Sequence, residues 1–88
     1  PDVLPVGIGG YQVQGTVRLD TLGDVIGREL DHPEIDTVSG LILSELGRPA
    51  VLGDRVHWEG LCFEVSGLHG RGVRQATLTL DPPPTVSD

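Results

Sequence analysis

The hydrophobic period of this chain changes between Leu46 and Val56, and that change restricts the folds open to it. Before it, Val38, Leu41, Ile42 and Leu46 fall at i, i+3, i+4 and i+8, one stripe of an amphipathic helix. Asp36 or Thr37 is placed to cap its first turn, Gly47 to supply a left-handed C-terminal cap, and Pro49 to prevent continuation. After it, Gly53-Asp54 turns the chain and a period of two takes over. Val56 and Trp58 alternate with Arg55, His57 and Glu59, and past a turn at Gly60 Leu61, Phe63 and Val65 alternate with Cys62, Glu64 and Ser66. A capped helix running into a hairpin gives an α+β chain.

The flanking segments extend this pattern. His69-Gly70-Arg71-Gly72 makes a further turn, and Val73, Ala76, Leu78 and Leu80 form a last strand whose spacing slips by one, as a bulge near Arg74 or Gln75 produces. Upstream, Tyr11, Val13, Val17 and Leu19 alternate with Gln12, Gln14, Thr16 and Arg18, a half-buried strand interrupted at Gly15. Asp20 or Thr21 then caps a short helix with the stripe Leu22, Val25, Ile26 and Leu30, and Asp24 stands where a weak capping box would close. Gly23 and Gly27 each weaken that helix by about 1 kcal/mol relative to Ala, so it depends on packing. His32-Pro33 ends the pattern. Gly40, beside the second stripe, offers a place for helix and sheet to approach closely. The expected order is β, α, α, β, β, β, with two short helices on a mostly antiparallel sheet of about four strands, the first strand returning beside an edge of the meander. Residues 1–10, with two prolines and three glycines, read as an incoming linker; residues 11–80 as the domain; residues 81–88, with Pro82, Pro83 and Pro84, as a disordered tail.

Composition narrows the function classes. At 88 residues the chain makes one domain, and such a domain buries only about 60 to 65% of its extended surface, which leaves little room for a deep active site beside a core. With 38% hydrophobic residues, one Phe, one Trp and no Met, the interior is aliphatic around Phe63. A start at Pro1 without Met suggests a segment of a longer polypeptide. The net charge of -7 disfavours nucleic acid and anionic lipid, since both require clustered cations, and Arg71 with Arg74 is not a patch. The single Cys62 excludes an internal disulfide framework. No apolar run approaches the roughly 20 residues of a bilayer-spanning helix.

Groupings that carry chemistry are sparse. Asp31, His32, Glu34 and Asp36 crowd the loop between the helices and could offer hard oxygen ligands to Mg²⁺ or Ca²⁺, but a cap at Asp36 and solvated neighbours explain them better, so no metal site is assigned. Cys62, His32, His57 and His69 lack paired zinc-ligand spacing. Gly7-Ile8-Gly9-Gly10 precedes a strand where a phosphate-binding turn would follow one. Ser39, Ser44 and Ser66 have neither a nucleophile-elbow motif nor a base placed to activate them, so no catalytic residue is assigned and the chain is read as a non-enzyme. Trp58 is either core packing or an interface anchor.

Tyr11-Gln12-Val13-Gln14-Gly15, Asp36-Thr37-Val38-Ser39-Gly40-Leu41-Ile42, Leu46-Gly47-Arg48-Pro49, Gly53-Asp54 and Phe63-Glu64-Val65 together resemble the transporter-associated domain of the CorC/HlyC family, from about Gly10 to Leu80. The chain departs in having one residue fewer before Pro49, and Ala76 where a larger apolar residue is usual. The resemblance implies a cytoplasmic C-terminal module of haemolysin-labelled bacterial membrane proteins, with cystathionine-β-synthase-type nucleotide-sensing modules and a membrane domain as partners in the same polypeptide. It further implies magnesium or cobalt efflux by the parent, a fold like part of flavin-binding domains, no cofactor and no catalytic residues. Two functions follow as expectations: a regulatory or interaction domain, which edge strands could allow to dimerise weakly, or a sensor of a nucleotide or flavin-like molecule, for which no binding residues are assigned.

Overall fold

The computed structural model describes residues 2–7 and 9–80, and the expected Pro-rich tail at 81–88 lies outside them. The chain runs β1 (Val3–Val6), β2 (Gly10–Gln14), α1 (Leu19–Ile26), α2 (Val38–Leu46), β3 (Arg55–Trp58), β4 (Leu61–His69) and β5 (Gly72–Leu80). All five strands form one antiparallel sheet in the order β1-β2-β5-β4-β3. The architecture is α+β, with β2 returning beside β5, the inner edge of the β3-β4-β5 meander.

Where about four strands were expected the described residues form five. The additional strand comes from the segment read as a linker, since Val3 pairs with Val13 and Pro5 with Tyr11. Proline is tolerated there because β1 is an edge strand, where a missing N–H breaks no ladder. Gly7 and Gly9, at φ 62° and 75°, make the turn into β2.

Facing residues across the strands assign the two sides of the sheet. Tyr11, Leu78, Phe63 and Val56 form one cross-strand row, and Val13, Ala76 and Val65 the next. Both rows lie under the helices, and Phe63, Leu78, Val13 and Ala76 are fully buried. Leu22 of α1, Val38, Leu41 and Ile42 of α2, and Leu30 and Ala50 from the connections close the core above them. Each of the Leu, Ile and Val side chains contributes about 1.5–3 kcal/mol on burial. The opposite face carries Leu4, Gln12, Thr77, Glu64 and Arg55 in one row and Val6, Gly10, Thr79, Cys62 and His57 in another. Among the described residues no helix covers that side. Cys62 sits there half-buried.

α2 forms as its sequence indicates. The Thr37 hydroxyl oxygen accepts from the Gly40 N–H at 3.1 Å, Gly47 is left-handed at φ 67°, and Val38, Leu41 and Ile42 are buried. The cap is therefore Thr37 and not Asp36, whose backbone carbonyl instead accepts from Leu19 N–H at 2.7 Å. Gly40 does not serve helix-to-sheet contact: a Cβ there would meet Ile35 Cγ2 at 3.1 Å and Thr37 Oγ1 at 3.2 Å, atoms of the preceding loop.

α1 differs from expectation at both ends and on its buried face: it stops at Ile26, before Leu30, and Gly27 is its left-handed C-cap and not an interior residue. It starts at Leu19, its N-cap position is Arg18, and no side chain caps it. Asp20 instead accepts from the adjacent Thr21 N–H at 2.8 Å. The chain after Gly27 folds back over Gly23, where any Cβ would collide with the Arg28 carbonyl oxygen. Leu19, Leu22 and Gly23 accordingly form the buried face, Leu30 docks from beyond the helix, and Val25 is left 49% exposed.

The β2 strand also ends earlier than the alternation indicated. At Gly15 the chain leaves the sheet. Val17 is buried from a connection held to the entry of α2 by an Arg18–Thr37 bridge and a Val38 N–H to Val17 carbonyl bond of 2.9 Å, and Leu19 is buried from the first turn of α1. In the β4–β5 ladder Val65 faces Ala76, Gly67 faces Gln75 and Leu68 faces Val73. Arg74 is thus an extra residue on β5, as the slipped spacing indicated, and Ser66 is a second one on β4 that the pattern did not reveal.

Candidate functional site

Three segments distant in sequence meet where β2 ends, α2 begins and the β4–β5 hairpin turns. Gly15 N–H donates to the Arg74 carbonyl at 2.8 Å, Ser39 N–H to the Gly15 carbonyl at 2.9 Å, and Val73 N–H to Ser39 Oγ at 3.1 Å. A Cβ on Gly15 would collide with the Val73 carbonyl oxygen, so only glycine permits this contact. Beside the junction opens a cleft of about 410 Å³ lined by Gln14, Thr16, Ser39, His69, Gly72, Val73 and Arg74. Volumes of that order suit small molecules.

None of the cleft-lining side chains is acidic. Among the described residues the ion pairs join Arg18 to Asp20, Arg48 to Asp54 and Arg55 to Glu64, and Arg28 reaches the Glu59 carbonyl at 3.2 Å. Arg71 and Arg74 take part in none of them. Ser39, weighed above only as a nucleophile, holds the floor of the cleft through its bond from Val73, while Ser44 and Ser66 are exposed elsewhere.

The interhelical acidic residues form a different and smaller place. Asp31, His32 and Asp36 line a pocket of about 90 Å³ with Arg18, Asp20 and Ile35, and Glu34 is not among its walls. His32 Nδ1 accepts from the backbone N–H groups of Glu34 and Ile35 at 3.0 and 3.1 Å. Its neutral ring then carries the proton on Nε2 and presents a donor, the opposite of what a metal requires. Among the described residues no group of three or more His, Cys, Asp or Glu side chains is arranged to hold a metal ion. The His32 ring lies 6.3 Å from that of Trp58, at 42°. Trp58 is partly buried against the core on edge strand β3. His57 faces Cys62 on the uncovered side of the sheet, and His69 lies at the far end of β4, so the three histidines do not converge.

One electrostatic feature was not read from the sequence. Arg48 binds Asp54 through two parallel bonds of 2.9 and 2.8 Å, and Val51 N–H donates to Asp54 Oδ2 at 2.8 Å. The Arg48 bonds first, and that of Val51 second, hold the Asp54 carboxyl below the usual carboxylate range. Gly53 N–H to Val65 carbonyl and Val65 N–H to Asp54 carbonyl, at 2.9 and 2.8 Å, fasten the turn to β4. The available signal was the pair of opposite charges six residues apart around Pro49 and Gly53. For the cleft the available signal was weaker: the stretch 65–80 contains no acidic residue in a chain with 13 of them.

Comparison with known proteins follows the fold closely. The CorC_HlyC family, described as the transporter associated domain, matches residues 5–82. The K(+)/H(+) antiporter NhaP2 of Shewanella baltica is 37% identical over 73 residues, covering 82% of this chain and 13% of the antiporter. A Rickettsia bellii protein carrying the hemolysin C name is 33% identical over 67 residues, covering 73% of this chain and 22% of that protein. The crystal structure of the CorC-associated region of Neisseria meningitidis, a region named for Mg²⁺ and Co²⁺ transport, superposes with a TM-score of 0.82 at 25% identity, covering 91% of this chain and 99% of that one. This chain thus spans a small part of its curated relatives and nearly all of its structural counterpart, and it belongs to the CorC_HlyC family of transporter associated domains.

Proposed function

We propose that this domain is a non-catalytic regulatory or interaction module on the cytoplasmic side of a CorC-like membrane protein implicated in magnesium or cobalt efflux. The observation that carries the reading is the family match over residues 5–82, together with relatives in which the matching segment is only 13 to 22% of the protein. A module of that size, attached to an ion transporter, acts by docking on cystathionine-β-synthase-type modules or the membrane domain of the same polypeptide. The short edge strand β3 and the part-buried Trp58 offer one contact surface, with Arg55 and Glu59 blunting open-ended strand pairing. The acidic loop at Asp31, His32, Glu34 and Asp36 is proposed to hold no metal with useful affinity, because a His32 ring that presents a donor and carboxylates with no common focus leave a hard cation its waters. A melting temperature that rises and saturates at micromolar Mg²⁺ or Ca²⁺, and loses the response in an Asp31→Asn, Glu34→Gln variant, would contradict this.

The decisive experiment removes residues 11–80 from the intact transporter. Regulation or assembly should change while the ion path persists. Transport, nucleotide response and assembly all unchanged would end the regulatory reading. A second reading, a sensor of a nucleotide or flavin-like molecule, is favoured by the 410 Å³ cleft between α2 and the sheet. Calorimetry with divalent cations and adenine nucleotides separates the two.

A further inference from the structure

We infer that the cleft between the start of α2 and the β4–β5 hairpin binds a small organic anion through its phosphate or carboxylate group. Such a site would make the domain the sensor of the second reading, on which it rests. Charge placement is the first ground. The chain carries 13 acidic and 6 basic residues, yet the cleft gathers Arg74 and His69 with no carboxylate among its walls. Arg74 is outside every described ion pair, so its fork of N–H donors is not occupied by a neighbouring acid.

Donor geometry is the second. Gln14, Thr16 and Ser39 line the same cleft as Arg74 and His69, and each offers an N–H or O–H. Ser39 Oγ accepts from Val73 N–H, which leaves its own hydroxyl proton to donate elsewhere. The α2 N-terminus is not the attraction, because the N–H groups of Val38, Ser39, Gly40 and Leu41 are taken by Val17, Gly15 and Thr37. Recognition must come from side chains.

The backbone supplies the third. Arg74 is the extra residue of a bulge on β5, and Ser66 of another on β4; such bulges re-aim side chains and recur beside binding sites. Val73 and Gly72 add uncharged residues to its lining. A volume of about 410 Å³ exceeds what a bare inorganic anion fills, so the ligand carries an organic body.

The test is an amide NMR titration of the 88-residue chain with AMP, with citrate, and with uncharged adenosine. Saturable shifts are expected at Gln14 to Thr16, Ser39 and His69 to Arg74 with an anion and not with adenosine; whichever of AMP and citrate saturates earlier identifies phosphate or carboxylate. Arg74→Gln, a change at an exposed side chain, should weaken that binding about tenfold, whereas Arg18→Gln at the acidic pocket should leave it unchanged. No saturation with either anion at millimolar concentration, equal shifts with adenosine, or unchanged affinity in Arg74→Gln would overturn the site. Each of those results leaves the regulatory role to the deletion experiment, and a deletion without effect leaves a saturable, Arg74-dependent site standing.

Discussion

α1 and α2 are each about two turns long, and each ends on a left-handed glycine, Gly27 at φ 74° and Gly47 at φ 67°. They begin differently. α2 starts at a Thr37 side chain that bonds its own first turn, whereas α1 starts at Arg18, which caps nothing with its side chain, while Leu19 N–H reaches the Asp36 carbonyl. The glycines inside them differ as well. Gly40 of α2 has side-chain neighbours from its own entry loop, and Gly23 of α1 lies under the returning backbone at Arg28 and Leu30. A helix limited by residues within one turn of its ends can be read locally. One whose start and buried face are set by later segments cannot.

The largest expected effect tests what the two helices share. Phe63→Ala empties the centre of the sheet face under both, and should cost about 3–5 kcal/mol, close to the whole stability of a small domain. Helical circular dichroism should disappear in one transition in urea. Two separated transitions, or a melting temperature within a few degrees of the parent, would show that the helices do not depend on this common support.

Gly23→Ala sharpens the contrast through its sign. Alanine is favoured in a helix interior by about 1 kcal/mol, yet the Arg28 carbonyl stands where the methyl would go, and the net change should be a loss of about 1–3 kcal/mol. Gly40→Ala should stay within about 1 kcal/mol of the parent, because side chains and not backbone must yield. A stabilised Gly23→Ala protein in thermal melts would break the comparison.

A smaller difference is expected at the caps. Thr37→Ala should lose about 1 kcal/mol, and Thr21→Ala should remain within about 0.5 kcal/mol, as at other exposed sites that cap nothing. Equal losses would mean that α1 has a working local cap after all.

The smallest effect concerns the turn after α2. Arg48 and Val51 hold the Asp54 carboxyl below its usual range, so the associated stability is present above the ordinary carboxylate pKa and is lost as pH falls through the lower folded value. Melting temperature followed through the acid range should fall less steeply in Asp54→Asn than in the parent. Identical acid limbs would remove the pair from the account of how α2 is joined to β3.

The same division explains what the sequence discloses. α2, the Glu59-Gly60 hairpin turn and the bulge at Arg74 have signals confined to a few residues: a threonine before an apolar stripe, a glycine between alternating runs, a slipped period. β1 was obscured by Pro5 and the glycines that follow the strand, which suit an edge strand and its turn as well as a linker, and only the ladder pairing Val3 with Val13 distinguishes them. Val25 has the right spacing for the core and is excluded from it by a segment that folds over Gly23. The candidate cleft is less legible still. Its walls come from Gln14, Thr16, Ser39, His69, Gly72, Val73 and Arg74, and nothing in their separate neighbourhoods announces that they meet; Arg74, dismissed with Arg71 as too few for a nucleic-acid patch, gains meaning only beside Ser39 and Gln14. The acidic loop shows the converse, a conspicuous local cluster whose histidine is already engaged with its own backbone.

Among the described residues the last strand in sequence is the middle strand of the sheet, with β2 on one side and β4 on the other. Until Gly72–Leu80 is available, β1–β2 and β3–β4 are two separate hairpins with no ladder between them, and isolated hairpins are at best marginally stable in water. The domain therefore cannot assemble stepwise behind a ribosome. It must wait for its final segment and then close a loop of some sixty residues in joining β2, a slow, entropically costly event. In a longer polypeptide this makes the domain a late folder, whose completion reports that the chain has been made through β5.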